Sequence, residues 1–397
     1  MKALLYSLLP RPPHPTRDGL AIRCFHLLRA LGESYRVRAF VLRAPYPAGG
    51  GEYPPGVEAE EIPHPARSLR RAAAVAAALA GRRVYSEILY RSGRLSAALA
   101  SRVARERPAW VVAQSYPLGP LAIGQDVPSW VDFHNVDSEI WERIGQTASP
   151  PLARVFARRE APRVAALETH LLESAGGVSC VSERDAGALW ARARGARSRP
   201  LVVPNGVDLA RYAWRSHPPA GPIALFVGDL SWPPNAEGLR WLRREVWPLV
   251  RRSRPDAVAE ILGRGAPANL LAGGAADFRF LGEGGDTRPH WERAAVSVVP
   301  LLAGGGTRLK ILEAAACGVP VVSTPVGAEG LDLQPGVEIA IAADATSFAA
   351  EVCRFLADPE EGRRLSAAAR RKVERLYDWK PIGDAFAAEL LRRGATA

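Results

Sequence analysis

Short apolar runs alternate with longer amphipathic segments along this chain, and they do so twice over. The first series has apolar runs at 3–9, 37–42, 110–113, 129–133, 177–181 and 201–203, with helical patterns between them at 19–31, 95–105 and 152–172. After Pro204-Asn205-Gly206 the pattern restarts, with runs at 223–227, 257–262, 278–281, 296–301, 319–323 and 338–341. Apolar runs on both sides of a helix-length segment imply parallel strands whose sheet is covered on both faces. The divider, 203–221, holds prolines or glycines at 204, 206, 218, 219 and 221.

The expected class is therefore α/β, with two facing Rossmann-like domains at 1–203 and 204–378 and a cleft between them. A single core rarely exceeds roughly 200 residues, so 397 residues call for two. The final helical pattern, 379–397, is expected to pack back on the first domain. Ligands in sheets of this kind sit at the carboxyl ends of the strands, hence in the cleft.

Lys+Arg number 52 against Asp+Glu 41, a net charge of +11 that points to an anionic partner without choosing one. Only Lys2, Lys310, Lys372 and Lys380 are lysines, and the arginine and alanine excess reads in part as composition drift. The cysteines Cys24, Cys180, Cys317 and Cys353 are far apart, which argues against a disulfide framework or metal site and for a reducing cytoplasm. The opening MKALLYSLLP reads as a buried first strand rather than a signal peptide. No apolar run approaches the roughly 18 residues of a membrane span.

Residues 304–330, GGGTRLKILEAAACGVPVVSTPVGAEG, carry the densest chemical signal. Gly304, Gly305 and Gly306 offer bare backbone to a ligand, Thr307 is placed to cap the next helix, and the helix start favours an anion. Arg308 and Lys310 add cations where the helix dipole disfavours them, which suggests a diphosphate. Glu313 is spaced to accept both hydroxyls of a ribose. The plainer alternative is a surface helix with Glu313 solvated.

This segment closely resembles the donor-nucleotide region of family-four glycosyltransferases, retaining enzymes of the GT-B fold. The resemblance extends over PRPPHPTRDGLAIRCFHLLRAL, VDFHNVDSEIW, CVSERDAGAL, VVPNGVDLARY, LFVGDLSWPPNAEGLRWL and ILGRGAP, and so over most of the chain. It is closest to bacterial sugar transferases of exopolysaccharide gene clusters. The resemblance implies that Glu313 holds the ribose, Gly19 lies near the donor phosphates and His134 stands beside the reacting sugar. His134 and Glu313 are the candidate catalytic residues. Gly19, Gly228, Arg264, Gly305, Gly306, Thr307, Arg308 and Lys310 are the candidate donor residues, with Asn135 and Asp137 weakly assigned to the acceptor. A plainer reading makes His134 a helix cap. The implied reaction is sugar transfer from a nucleoside-diphosphate sugar to a glycan or polyprenyl-linked hydroxyl, with retention.

The pattern also departs from the family. Gly305 stands where the first glutamate of Glu-x7-Glu belongs, and 229–235 lacks the usual cations, leaving Arg308, Lys310 and Arg264 to replace them. No Asp-x-Asp occurs, so no metal and no cofactor is expected, the nucleotide sugar being a substrate. The stretch 67–107 has ten arginines against Glu87 and Glu106, consistent with either an anionic membrane surface or solvated helix faces. A cytoplasmic protein, peripheral on the inner face of the membrane, is the corresponding expectation. Without aromatic interleaving, nucleic acid is not expected. A nucleotide-sugar epimerase of the same fold and a catalytically silent membrane partner remain alternatives; a dehydrogenase does not, for want of G-x-G-x-x-G after a strand.

Overall fold

The computed structural model describes residues 2–43, 51–64, 67–81, 83–147, 151–215, 217, 219–267, 270, 276–283 and 285–394, excluding the side chains at 67–70 and 147. Of the basic stretch, Arg82 and the side chains of Arg67 and Arg70 lie outside the described residues. The chain divides into two compact units, Met1–Pro204 with Lys380–Ala397, and Asn205–Trp379.

The first unit holds a parallel seven-stranded sheet, ordered β3-β2-β1-β4-β5-β6-β7. The strands are β1 Leu4–Leu9, β2 Arg36–Arg43, β3 Val57–Pro63, β4 Trp110–Ala113, β5 Ser129–Asp132, β6 Gly177–Cys180 and β7 Leu201–Val202. The inner strands β4, β5 and β6 are buried along their whole length, as continuous apolar runs predict. Strand order reverses between β1 and β4, which opens a crevice at their carboxyl ends. The helix Trp379–Gly394 closes one face: Trp110 Nε1 donates to Leu390 O at 3.1 Å, and the Trp130 and Phe386 rings meet edge-on at 5.7 Å.

The strand β3 escapes the apolar-run reading. Its VEAEEIP sequence is acidic, and it lies at the sheet edge, where a strand can carry charge. Its glutamates face arginines from elsewhere in the chain, Arg38–Glu58 at 2.8 Å and Arg102–Glu60 at 3.2 Å, with Arg43 on Glu61.

The second unit repeats the plan with six parallel strands, ordered β10-β9-β8-β11-β12-β13. These are β8 Ile223–Val227, β9 Val258–Leu262, β10 Phe278–Gly282, β11 Val296–Val299, β12 Val321–Ser323 and β13 Ala340–Ile341. Alternation along β8 sends Ala224 and Phe226 into one apolar layer and Leu225 into the other. The run at 319–323 yields only three strand residues because its start closes the preceding helix. Gly318 adopts φ +77° as the cap, and the Val319 amide returns to Ala314 O at 2.9 Å.

Among the described residues, no helix is long and apolar enough to cross a membrane. The basic stretch folds as the helices Arg67–Ala80, Tyr85–Tyr90 and Gly93–Glu106. Several of its arginines meet acids: Arg83 with Glu87 at 2.5 Å, Arg102 with Glu60 and Glu106, Arg107 with Asp126 at 3.6 Å.

Candidate functional site

In the second unit, the carboxyl ends of β8 and β9 approach so closely that glycine is required. A Cβ on Gly263 would lie 1.9 Å from Gly228 O, and one on Gly228 would lie 2.8 Å from Lys310 Nζ. Asn235 straddles this point, donating through Nδ2 to Asp229 O at 2.8 Å and accepting from Lys310 Nζ at 3.2 Å. The Lys310 ammonium also sits 4.0 Å from the centre of the Phe226 ring. Burial, aided by the nearby Arg308, brings its pKa down to about 7, with Glu313 opposing. Its spacing implies a cation, and this surrounding lowers the cost of losing its proton.

Arg264, expected to replace a missing cation, is bound to Asp229 Oδ2 through Nε (2.9 Å) and Nη2 (2.8 Å). Burial would raise the Asp229 pKa, but the Ser231 hydrogen bond and Arg264 outweigh it and hold the carboxyl below the usual range. Arg264 therefore shapes the loop after β8 instead of adding unmatched charge.

The glycine loop between β11 and the helix Leu309–Cys317 corrects two expectations. Thr307 does not cap the helix; its hydroxyl accepts from Asn205 Nδ2 at 2.7 Å, and the cap position falls to Arg308, whose side chain caps nothing. Arg308 in turn is buried and folded back on its own loop. Its Nη1 donates to the carbonyls of Gly305 and Gly306, the latter at 2.9 Å, and its guanidinium lies 5.6 Å from the Trp232 ring centre. Gly304 (φ +134°) and Gly306 (φ +69°) adopt backbone that L side chains rarely do. A Cβ on Gly304 would meet Arg308 Nη2 at 2.7 Å. Arg308 is a clamp on the loop, and the helix Leu309–Cys317 starts with no side-chain cap.

Glu313 lies three residues after Lys310 on the same helix face. It is buried, against the solvated alternative, and accepts from Trp291 Nε1 at 3.4 Å. Burial raises its pKa, opposed by hydrogen bonds from Trp291 and Tyr212 and by Lys310 and Arg211. Gly228, Lys310, Glu313 and the loop are therefore gathered at one end of one sheet. Asn235, Trp232 and Trp291 join them unforeseen, because nothing in their own stretches marks them apart from core or turn residues.

In the first unit, Gly19 is the exposed first residue of the helix Gly19–Ser34, whose cap Asp18 accepts from Ala21 N and pairs with Arg11 at 3.0 Å. One turn on, Arg23 is fully buried. Its Nε and Nη2 grip Asp132 at 2.7 and 2.8 Å, and Nη1 reaches Pro204 O at 3.2 Å. Asp132 also accepts from Ser179 Oγ at 2.6 Å and lies 3.2 Å from His134 Nε2. Burial opposes its ionisation, yet Arg23 and the neighbouring hydrogen bonds hold this carboxyl far below the usual range. His134 follows the end of β5 by two residues, which sets its ring beside Asp132. The sequence signal for Arg23 is an arginine between Ile22 and Cys24 on an otherwise apolar helix face.

Asn135 is half-buried beside it. Asp137 opens the helix Asp137–Thr147, and its pKa is raised well above the ordinary value by burial, then by Glu168 and Asp185. Glu168 is itself held by Ser138, through the amide at 3.1 Å and the hydroxyl at 2.5 Å. Asp137 thus lies within the field of two other acids. Among the described residues, no group of three or more His, Cys, Asp or Glu is arranged to hold a metal ion.

Comparison with known proteins places these features in context. Residues 17–211 match the model described as Glycosyltransferase Family 4, and residues 221–358 match Glycosyl transferases group 1. A 44.6 kDa protein in the cps region of Klebsiella pneumoniae is 26% identical over 167 residues, 40% of this chain and 43% of that one. Glycogen synthase of Mycobacterium tuberculosis is 30% identical over 199 residues, 47% of each chain. The chain thus matches about half the length of these curated relatives. Among solved structures, sucrose-phosphate synthase from Thermosynechococcus elongatus matches with a TM-score of 0.74 at 19% identity, covering 99% of this chain and 100% of that one. HepE of Anabaena, solved with UDP and glucose, matches with a TM-score of 0.69 at 13% identity, covering 98% and 99%. At these identities the structures speak for the fold.

Proposed function

We propose that this chain, which belongs to the glycosyltransferases of the GT-B fold with a Family 4 region followed by a group 1 region, moves a sugar from a nucleoside-diphosphate sugar to a hydroxyl of a glycan or polyprenyl-linked acceptor. The observation that carries this reading is Lys310. Its ammonium is seated against the bare backbone of Gly228 at a strand's carboxyl end, on Asn235 Oδ1 and over the Phe226 ring. An anionic diphosphate placed there would favour its protonated form. The uncapped helix start and the glycine loop supply amides to the same charge, and Glu313 is placed to accept ribose hydroxyls.

Retention follows the family resemblance. The acceptor oxygen bonds to the anomeric carbon on the face from which the diphosphate departs. The anomeric carbon–oxygen bond to the diphosphate breaks, and the leaving phosphate oxygen takes the acceptor proton. The family resemblance assigns Gly19 to the donor phosphates and His134 to the sugar, with Asn135 and Asp137 for the acceptor. Lys310 and the helix amides neutralise the leaving group, so the reading requires neither metal nor cofactor. The cps-region relative supports a role in exopolysaccharide or other glycoconjugate assembly, and HepE supports UDP as the first nucleotide to test. An acceptor on a polyprenyl carrier would bring the enzyme to an anionic membrane, the role expected of 67–107.

The test is isothermal titration with UDP, GDP and dTDP, followed by transfer assays with the matching sugars. Binding of one nucleotide and EDTA-resistant transfer are expected. No binding of any nucleotide overturns the proposal.

A further inference from the structure

In the second unit, Trp232 ends the loop after β8, directly before the helix Pro233–Trp241. A residue that precedes proline is restricted to extended backbone, and Trp232 has φ −86° and ψ 117°. Its amide donates to Asp229 O at 3.3 Å, and its carbonyl accepts from Asn235 N at 3.1 Å. The backbone of Trp232 is therefore fixed on both sides, three residues before the Asn235 that receives Lys310.

The Trp232 ring reaches the glycine loop. A Cβ on Gly304 would lie 2.9 Å from Trp232 Cη2, so only bare backbone fits against that edge of the indole. The ring is half-buried, and its Nε1–H meets no acceptor among the described residues. Trp110, Trp130, Trp247 and Trp291, by contrast, all donate through Nε1 to protein acceptors. An indole offers a large apolar surface and one polar handle, and here the handle is uncommitted.

On the proposed reading, Glu313 takes the ribose and Lys310, three residues nearer the helix start, takes the diphosphate. A nucleotide sugar is linear in that order, so its sugar falls beyond Lys310, toward the loop 304–308. Gly304, Gly305 and Gly306 bring no side chain there. The Thr307 hydroxyl accepts from Asn205, and Arg308 is bonded to the carbonyls of Gly305 and Gly306. We propose that Trp232 is the side chain that holds the donor sugar. The indole packs against the C–H face of a neutral pyranose, and Nε1–H donates to one of its hydroxyl oxygens. This assignment rests on the transferase reading and adds to it the group that selects the sugar. A ring that only shelters Arg308 would instead affect nucleotide and nucleotide sugar alike.

The test is isothermal titration of UDP, GDP and dTDP, and of their glucose and mannose conjugates, into wild type, W232A and W232F. W232A should lose about tenfold more affinity for the nucleotide sugar than for the free nucleotide, from ring contact and hydrogen bond together. W232F keeps a ring beside Arg308 and loses only the N–H. Its melting temperature should lie near that of wild type, and its selective loss should be about threefold. It reads the same difference should W232A fold poorly. Equal losses for free nucleotide and nucleotide sugar, or no loss for any conjugate, overturn the role of Trp232 and leave the transferase reading standing. Absence of binding by every nucleotide overturns both.

Discussion

Lys310 Nζ stands 4.0 Å from the centre of the Phe226 ring, at the carboxyl end of β8, where desolvation and Arg308 lower its pKa to about 7. On the proposed reading a bound diphosphate would reverse that shift, so nucleotide binding above pH 7 should take up a proton. Affinity should fall by up to about tenfold per pH unit between pH 7 and the pKa of the complex. Titrations at pH 8 in two buffers of different ionisation heat should give different apparent enthalpies, and Lys310→Met should remove the difference while weakening binding. In the unliganded protein the unfolded lysine, at 10.5, binds more protons than the folded one. Stability from this group should therefore rise with pH from about 7 to 10.5, and Lys310→Met should flatten that rise.

Glu313 is oriented by the Trp291 indole at 3.4 Å. Glu313→Gln should weaken nucleotide binding by about 1.5–3 kcal/mol, the range for a hydrogen bond to a charged group. Because burial raises the carboxyl pKa in the folded state, the same change should remove a penalty on the native protein that grows as pH rises above 4.5. Thermal melts of wild type and Glu313→Gln at pH 5 and pH 8 check the sign. Trp291→Phe should weaken binding by a smaller factor and leave turnover at saturating donor unchanged.

Asp132 and Arg23 form a wholly buried pair. Asp132→Ala should cost about 3–5 kcal/mol of stability, because it strands a buried guanidinium. Urea unfolding measures this. His134→Ala, at the edge of the same network, should lower turnover more than donor affinity and shift the urea midpoint little. Equal loss in both kinetic terms would remove His134 from the reacting centre.

Gly304→Ala places a methyl at φ +134° and against Arg308. A cost of about 1–3 kcal/mol in stability is expected from the backbone alone. Nucleotide affinity should fall as well, since the loop carries the helix start with it. Parallel calorimetry and titration on Gly304→Ala read both quantities.

Local patterning already carried much of this protein. Apolar runs and turn residues disclosed β8, β9 and β11, because a buried parallel strand must be apolar along its length and that demand is met within five residues. Lys310, Glu313 and the glycines between 304 and 306 were legible for a similar reason: one turn of helix and one loop contain their spacing. The edge strand β3 was not legible, since Glu58 and Glu60 are neutralised by Arg38 and Arg102 from distant segments.

Other properties arose from separations that no window spans. Arg23 meets Asp132 across 109 positions, and Asn235 meets Lys310 across 75. The fate of Arg308, turned inward on its loop, depended on Trp232 being there to receive it. Spacing set the order of strands, helices and chemical groups, because those follow from local periodicity. Protonation, pairing and exposure, from the pKa of Lys310 to the half-buried Trp232, came from packing, because desolvation and electrostatic interaction depend on what surrounds a group in space.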